Sequence, residues 1–174
     1  MRCGLLGEKL GHSYSPALHA LFGDYDYELF EVSPDRLGDF LRVRDFQGLN
    51  VTIPYKTTML AICDDLTETA ATIGSVNTVL KQLDGSLLGD NTDAAGFEGM
   101  VWKSRIRILG RKCLVLGSGG ASLSAQYVLR KLGAGEVVVI SRTGENNYDN
   151  LDRHQDAAVI VNATPVGMYP NTAA

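Results

Sequence analysis

Gly117-Ser118-Gly119-Gly120-Ala121-Ser122 is the stretch that decides the fold of the second half of this chain. It follows Lys112–Leu116, an apolar run typical of a buried strand, and it precedes a helical apolar pattern that ends at Gly133. Glu136–Ile140 predicts a second strand. A glycine-rich turn between a strand and a helix lets the backbone and the helix N-terminus approach a dinucleotide pyrophosphate. The order of these elements therefore predicts a Rossmann βαβ unit.

The residues after the second strand distinguish the two nicotinamide cofactors. An NAD site places an acidic residue there for the ribose hydroxyls, whereas this chain has Ser141, Arg142 and Thr143. A guanidinium can bind a 2′-phosphate with two hydrogen bonds, and the two hydroxyls are further donors. We therefore predict NADP(H) rather than NAD(H). A third strand at 157–161 leads into a polar turn at 162–168, which lies beside the glycine turn if the two strands are neighbours.

The first half of the chain alternates strands with helices, which predicts an α/β domain with a mixed sheet. Strands are expected at 2–6, 25–32, 48–53 and 75–80, with a return strand after the hairpin turn at Asp84-Gly85. Helices are expected from Ser15, from Ser33, at 56–63, at 66–73, and after Thr92 or Asp93. We place the boundary between this domain, residues 1–105, and a partial Rossmann domain, residues 106–174, at a charged helix end.

Two hydroxyls, those of Ser13 and Ser15, follow the first strand. Ser15 before Pro16 is typical of a helix N-cap, followed by an apolar helix face. Ser13 has no such explanation, and two hydroxyls at a strand-to-helix turn can bind a carboxylate or a sugar-like hydroxyl. From these residues alone, the structural and the binding interpretations both stay open. The apolar face would consist of Ala17, Leu18, Leu21 and Phe22.

The stretch Asn50-Val51-Thr52-Ile53-Pro54-Tyr55-Lys56 begins as a strand, and Pro54 ends it because proline has no N–H to donate. Lys56 therefore lies at a strand exit, where α/β sheets place their ligands. A lysine held there partly out of water can donate and accept protons. The alternative is a solvated lysine at the start of a helix.

Composition excludes several classes of protein. A net charge of -4 over 174 residues argues against a nucleic-acid-binding face. No apolar run is long enough to cross a bilayer, and the N-terminus does not resemble a signal peptide. Neither the three cysteines nor the three histidines show a metal-ligand spacing, which predicts reduced thiols and no metal. We expect a cytoplasmic protein, a monomer or homodimer, with a small-molecule substrate.

Six motifs resemble those of the shikimate dehydrogenase family, and they occur in the family's order. The resemblance covers essentially the whole chain. The motifs are Gly11-His12-Ser13-Tyr14-Ser15-Pro16, the stretch from Asn50 to Lys56, Gly74-Ser75-Val76-Asn77-Thr78, Gly89-Asp90-Asn91-Thr92-Asp93, the stretch from Gly117 to Ser122, and the stretch from Asn162 to Met168.

The resemblance implies a role for each matching residue. Ser13 and Ser15 would bind the shikimate carboxylate, and Thr52, Asn77 and Asp93 would bind the ring hydroxyls. Lys56 would be the catalytic acid and base, paired with Asp93. In the second domain, the resemblance implies three groups of NADP contacts. They are Gly117, Gly119, Gly120 and Ala121 at the pyrophosphate, Ser141, Arg142 and Thr143 at the adenosine phosphate, and Thr164, Val166 and Met168 near the nicotinamide.

The implied activity is the NADP-dependent, reversible reduction of 3-dehydroshikimate to shikimate in aromatic amino acid biosynthesis. One alternative is a quinate/shikimate dehydrogenase that uses NAD, which Arg142 disfavours. The other is a non-catalytic NADP- or ligand-binding module, which Lys56 and Asp93 disfavour. The family continues for about another half-domain, including a glutamine that binds substrate. We therefore expect a C-terminally incomplete chain with little or no turnover of its own.

Overall fold

The structure, a computed structural model, describes residues 1–11 and 13–168 of the chain. These residues belong to two units, Met1–Asn91 and Thr92–Ala174. Each unit has a sheet and a hydrophobic core of its own.

The sheet of unit 1 contains parallel and antiparallel strand pairs. Its strands are β1 (Arg2–Gly7), β2 (Asp26–Glu31), β3 (Gly48–Val51), β4 (Asp65–Leu66), β5 (Thr78–Lys81) and β6 (Leu87–Asp90). They lie in the order β2-β1-β3-β5-β6-β4. β1 is parallel to β2 and β3, whereas β5 is antiparallel to β3 and β6. The predicted mixed sheet is confirmed; the short strand β4 was not predicted.

Strand direction brings several chain segments to one edge of this sheet. Leu6 of β1 pairs with Val51 of β3, and both strands end there. Because β5 runs the other way, its first residue, Thr78, pairs with Asn50 near the end of β3 and with Asp90 at the end of β6. The motifs that follow β1, β3 and β6 therefore meet the motif that precedes β5.

Helices and 3-10 turns cover this sheet. They are α1 (Ser15–His19), a 3-10 turn at Pro34–Arg36 that leads into α2 (Leu37–Val43), a 3-10 turn at Thr58–Ala61, and α3 (Glu68–Ile73). Thr67 caps α3 by accepting the Ala70 N–H, and Gly74 ends the helix with φ 74°, directly after the predicted last residue, Ile73. The core contains fully buried apolar side chains of strands and turns, such as Leu6, Phe46, Met59, Val79 and Leu87.

The prediction for α1 is wrong in two respects. Tyr14, not Ser15, is the N-cap, and no side chain in the described part of the chain caps the helix. The helix is five residues long and buries none of them, so the predicted apolar face, with Leu18, is exposed. The physical reason is that α1 contacts β2 through a polar aromatic stack, His19 on Tyr27, instead of through aliphatic side chains.

Unit 2 has the predicted βαβ arrangement. Its elements are α4 (Asp93–Ser104), β7 (Lys112–Leu116), α5 (Gly120–Lys131), β8 (Glu136–Ile140), a 3-10 segment at Tyr148–His154 and β9 (Val159–Asn162). The strands are parallel and lie in the order β8-β7-β9. α4 packs with α5, since Val101 shares a core cluster with Ala125 and Leu129. The predicted boundary after residue 105 stays a prediction, although α4 belongs to unit 2.

Candidate active site

Main-chain hydrogen bonds connect three of the motifs at the edge of the unit 1 sheet. The Val51 N–H donates to the Asn77 carbonyl at 2.7 Å, and the Val76 N–H donates to the Lys56 carbonyl at 2.8 Å. The Asn77 N–H donates to the Asp90 carbonyl at 3.0 Å. Lys56 and Asn77 are therefore held by the backbone of the neighbouring motif, which is an efficient way to fix two polar side chains relative to each other.

The exit of β1 is attached to the same edge. The Thr52 N–H donates to the Leu6 carbonyl at 2.9 Å, and the Glu8 N–H donates to the Ile53 carbonyl at 3.3 Å. The loop that follows leads to Ser13, whose hydroxyl donates to that of Ser15 at 3.1 Å. The sheet thus brings Thr52, Lys56 and Asn77 together at this polar edge, and the loop that leaves the same edge carries Ser13 and Ser15.

Lys56 is half-buried and precedes the 3-10 turn, which begins at Thr58, so it is not a helix-start residue. The residues around it are fixed by packing. Tyr55 is 2% exposed and its hydroxyl donates to the Val32 carbonyl, while Met59 is fully buried. A lysine with so constrained a backbone and a partly desolvated stem is suited to proton transfer at a defined place.

Asp93 is the first residue of α4 and therefore belongs to unit 2. A carboxylate in the first turn is favoured by the helix dipole. The N-cap is Thr92, one of the two residues predicted for that position. The predicted pairing of Asp93 with Lys56 joins residues of different units and stays a prediction.

Several side chains that were assigned no substrate or cofactor contact also hold this edge. Asp90 accepts hydrogen bonds from the Thr67 hydroxyl at 2.6 Å and from the Asn91 N–H at 2.8 Å. The Asn91 amide donates to the Ser75 carbonyl at 2.8 Å. Two others are Tyr27 and Asn50, whose side chains are 2.7 Å apart. The alternation of apolar and polar residues in β3 places Asn50 on the face away from the core. Nothing in the local sequence connects it to Tyr27, which lies 23 residues earlier.

The glycine turn of unit 2 requires glycine at its first position. Gly117 has φ 102°, and a Cβ there would lie 2.9 Å from the Ala163 carbonyl oxygen and 3.1 Å from Thr164 Cγ2. The turn after β9 therefore packs directly against the turn after β7, as predicted for neighbouring strands. Gly119, in contrast, has no atom of the described residues within 4 Å of a Cβ position.

The N-terminus of α5 fits the pyrophosphate of a dinucleotide. The helix begins at Gly120 with Gly119 as N-cap, and no side chain of residues 1–11 or 13–168 caps it. Its first N–H groups and the partial positive charge of the helix are oriented toward the open side of Gly119. Ser122 is fully buried, whereas Ala121 is exposed.

The residues predicted for the adenosine phosphate and the nicotinamide also follow strand ends of unit 2. Ser141 follows β8, and its N–H donates to the Asn146 carbonyl at 3.1 Å, which closes a tight loop. Arg142 and Thr143 are exposed in this loop, so they are accessible to a phosphate. After β9, Thr164 is fixed by its N–H and hydroxyl, which both donate to Asn162 Oδ1, at 3.0 and 2.6 Å. Val166 and Met168 are exposed there.

Two structural features are not found within the described ranges. None of the helices there is both long and apolar enough to cross a membrane. No group of three or more His, Cys, Asp or Glu side chains is placed there to hold a metal ion.

An α/β unit with a polar sheet edge, followed by a βαβ unit with a glycine turn, defines the class of two-domain nicotinamide-dependent dehydrogenases. Comparisons with known proteins are specific about the family. Residues 5–79 match the model of the shikimate dehydrogenase substrate binding domain. The shikimate dehydrogenase (NADP(+)) of Clostridium perfringens is 37% identical over an alignment of 190 residues. The match covers 97% of this chain and 70% of that protein. The chain belongs to the shikimate dehydrogenase family.

Solved structures agree with this assignment. Shikimate dehydrogenase 1 from Peptoclostridium difficile is 34% identical and superposes with a TM-score of 0.90, covering 98% of this chain and 70% of that one. The Thermus thermophilus enzyme, solved in complex with NADP(H) and shikimate, is 37% identical with a TM-score of 0.83, covering 96% and 69%. The predicted family, fold class, enzyme class and cofactor are confirmed.

Proposed function

We propose that this protein catalyses the NADP-dependent, reversible reduction of 3-dehydroshikimate to shikimate, a step of aromatic amino acid biosynthesis. The observation that carries the proposal is the edge of the unit 1 sheet. Hydrogen bonds between motifs hold Thr52, Lys56 and Asn77 together there, and a relative with these folds was solved with NADP(H) and shikimate.

Ser13 and Ser15 are assigned to the substrate carboxylate, and Thr52, Asn77 and Asp93 to the ring hydroxyls. The two serine hydroxyls lie 3.1 Å apart, and each can rotate to donate its single proton to one carboxylate oxygen when the substrate binds. The amide of Asn77, 8% exposed, can donate to one hydroxyl oxygen and accept from another. Such a set of donors and acceptors selects a small polyhydroxylated acid.

Lys56 is assigned to proton transfer. NADP, when bound, supplies the hydride acceptor for shikimate oxidation, and its reduced form supplies the hydride for the reverse reaction. As the hydroxyl carbon loses hydride, Lys56 takes the hydroxyl proton, and in the reverse direction it returns the proton to the carbonyl oxygen. Asp93 is assigned the role of the carboxylate that orients this exchange.

The cofactor is assigned to unit 2. Backbone N–H groups at Gly119, Gly120 and Ala121, beside Gly117, would hold the pyrophosphate. Ser141, Arg142 and Thr143 would hold the 2′-phosphate, since an arginine on this loop provides two parallel donors. Thr164, Val166 and Met168 are assigned to the nicotinamide side, on the turn that packs against Gly117.

The test is a Lys56→Ala variant, with Lys131→Ala as the matched control. Lys131 is a lysine of α5 whose ammonium pairs with Glu98 at 2.7 Å. We expect Lys56→Ala to lower the rate of NADP reduction by shikimate about 100- to 10,000-fold and to leave NADP binding unchanged. Lys131→Ala should change neither.

Binding of shikimate and NADP is measured by calorimetry beside turnover, so that a slow wild-type rate does not hide the result. Failure of the wild-type chain to bind shikimate would refute the proposal. A Lys56→Ala variant that keeps the wild-type rate would refute the role of Lys56.

We infer a cytoplasmic location and a monomeric or homodimeric state for this enzyme. The support is its membership of a family of biosynthetic enzymes that act on small molecules. Sedimentation of the purified chain at several concentrations measures the state directly, and a stable tetramer would contradict the inference.

A further inference from the structure

The loop that carries Arg142 and Thr143 is closed by its own backbone. It begins at Ser141, directly after β8, and the Ser141 N–H donates to the Asn146 carbonyl at 3.1 Å. Within the loop, the Gly144 N–H donates to the Ser141 carbonyl at 3.4 Å. Arg142 and Thr143 are exposed on this loop. The position of the two side chains therefore depends on where Asn146, the closing residue, is held.

Two asparagine side chains hold the middle of the loop. Asn147 Nδ2 donates to the Gly144 carbonyl at 3.4 Å, and Asn150 Nδ2 donates to the Glu145 carbonyl at 2.9 Å. The Asn147 N–H in turn donates to Asn150 Oδ1 at 2.9 Å, as part of a capping box at the start of the 3-10 segment Tyr148–His154. The loop is therefore attached to the beginning of that segment.

His154, at the end of the same segment, holds the closing residue of the loop. Its Nε2 lies 3.0 Å from Asn146 Oδ1, and the histidine is only 9% exposed. An amide oxygen can only accept, so the ring carries a proton on Nε2 and donates it to Asn146. Its Nδ1 has no hydrogen-bond partner among residues 1–11 and 13–168. Because a buried N–H that lost its acceptor would be left unpaired, the contact with Asn146 is strongly favoured.

We propose that His154 is a positioning residue of the 2′-phosphate subsite: through Asn146, it holds the loop so that Arg142 and Thr143 meet the phosphate that distinguishes NADP from NAD. This inference rests on the proposed function, which assigns the loop to that phosphate. A loop that is fixed before the cofactor binds loses less conformational entropy on binding. His154 acts through Asn146 and is not assigned a contact with the cofactor.

The test measures the dissociation constants of NADP and NAD by calorimetry on four forms of the full chain. The forms are the wild type, His154→Leu, His154→Gln and the matched control Gln155→Leu. Leucine fills the buried site but has no donor, whereas the glutamine amide can present an N–H to Asn146 as Nε2 does. Gln155 is the next residue and is exposed, so its substitution changes the same segment outside the contact.

We expect His154→Leu to weaken NADP binding about three- to tenfold and to leave the dissociation constant of NAD within about twofold of the wild type. His154→Gln should bind NADP within about twofold of the wild type, and Gln155→Leu should change neither constant. Asn146→Ala removes the same hydrogen bond from a half-buried position and should show the same selective loss. It decides the test if His154→Leu does not fold.

Equal weakening of NADP and NAD by His154→Leu would mean a general structural role, and unchanged NADP binding would mean no role; either result overturns the inference. The proposed function survives both results if the wild type prefers NADP. A wild type that binds neither cofactor, or binds both equally, would instead refute the assignment of the loop to the 2′-phosphate, and this inference fails with it.

Discussion

At the scale of single residues, the two glycines Gly117 and Gly119 differ in whether the fold requires them. Gly117 has a positive φ and faces a carbonyl oxygen 2.9 Å from its Cβ position, so the fold itself requires glycine. Gly119 has φ -83° and ψ -174°, which any residue can adopt, and its Cβ position is open among the described residues. The fold therefore does not require glycine at 119, which agrees with the proposed approach of a pyrophosphate to this position.

This pair makes a matched prediction. Gly117→Ala should lower the free energy of unfolding by about 2 kcal/mol, because the new methyl group meets both backbone strain and a carbonyl. Gly119→Ala should leave stability within about 0.5 kcal/mol and weaken NADP binding about tenfold. Denaturant unfolding and NADP calorimetry measure the two effects. A Gly119→Ala variant with wild-type NADP affinity would contradict the placement of the pyrophosphate.

At the scale of elements, Asp64 joins the αL end of α2 to the start of β6. Its Oδ2 accepts the Leu87 N–H at 2.8 Å and lies 3.0 Å from Arg44 Nη1. Arg44 ends α2 with φ 50° and also donates to the Gly85 carbonyl at 2.6 Å. Two contacts lower the pKa of Asp64. The larger is the backbone hydrogen bond from Leu87, and the second is the hydrogen bond from Arg44. The ionised carboxylate therefore stabilises the contact between this helix end and the hairpin.

We expect a pH-dependent effect of Asp64→Asn. A carboxyl whose folded pKa lies below its unfolded value of about 3.9 contributes stability above that pH and loses it as the pH falls through the folded value. The variant should thus have a lower melting temperature than the wild type at pH 7 and the same melting temperature as the wild type in strong acid. Asp39→Asn, at an exposed i,i+3 pair with Arg42, is the control and should change little. A melting difference that persists undiminished in acid would contradict the argument.

At the scale of the whole molecule, α4 decides where the second unit begins. Val101 of α4 is buried in the same cluster as Ala125 and Leu129 of α5, and Lys131 pairs with Glu98 across the two helices. The boundary predicted after residue 105 rests on the charged end of α4. Local composition shows where a helix stops, but it does not show which sheet the helix packs beside.

Two fragments test this boundary. Residues 92–174 should unfold cooperatively, whereas residues 106–174 should be less stable by about 2 kcal/mol or more, since removing α4 leaves the apolar cluster uncovered. Urea unfolding followed by circular dichroism measures the difference. Equal stability of the two fragments would support the boundary after residue 105.

The sequence by itself determined the local features and the family of this protein. The bounds of β7 and β8, the glycine end of α3 and the turn at Gly117 follow from short-range rules of burial, capping and backbone freedom. The motifs also showed which residues to compare with the shikimate dehydrogenases. Each of these depends on neighbours only a few residues away.

Only the tertiary structure decided what depends on distant contacts. Ser15 fits the pattern of an N-cap, but in the fold Tyr14 takes that position and the Ser15 hydroxyl accepts a hydrogen bond from Ser13. The apolar face of α1 is exposed, and the helix contacts β2 through the stack of His19 on Tyr27 instead. Lys56 is held by Val76, and Asn77 by Asp90, through main-chain hydrogen bonds between segments that are far apart in the sequence. The physical reason is that a side chain's role depends on which groups remove it from water, and residues far along the chain supply those groups.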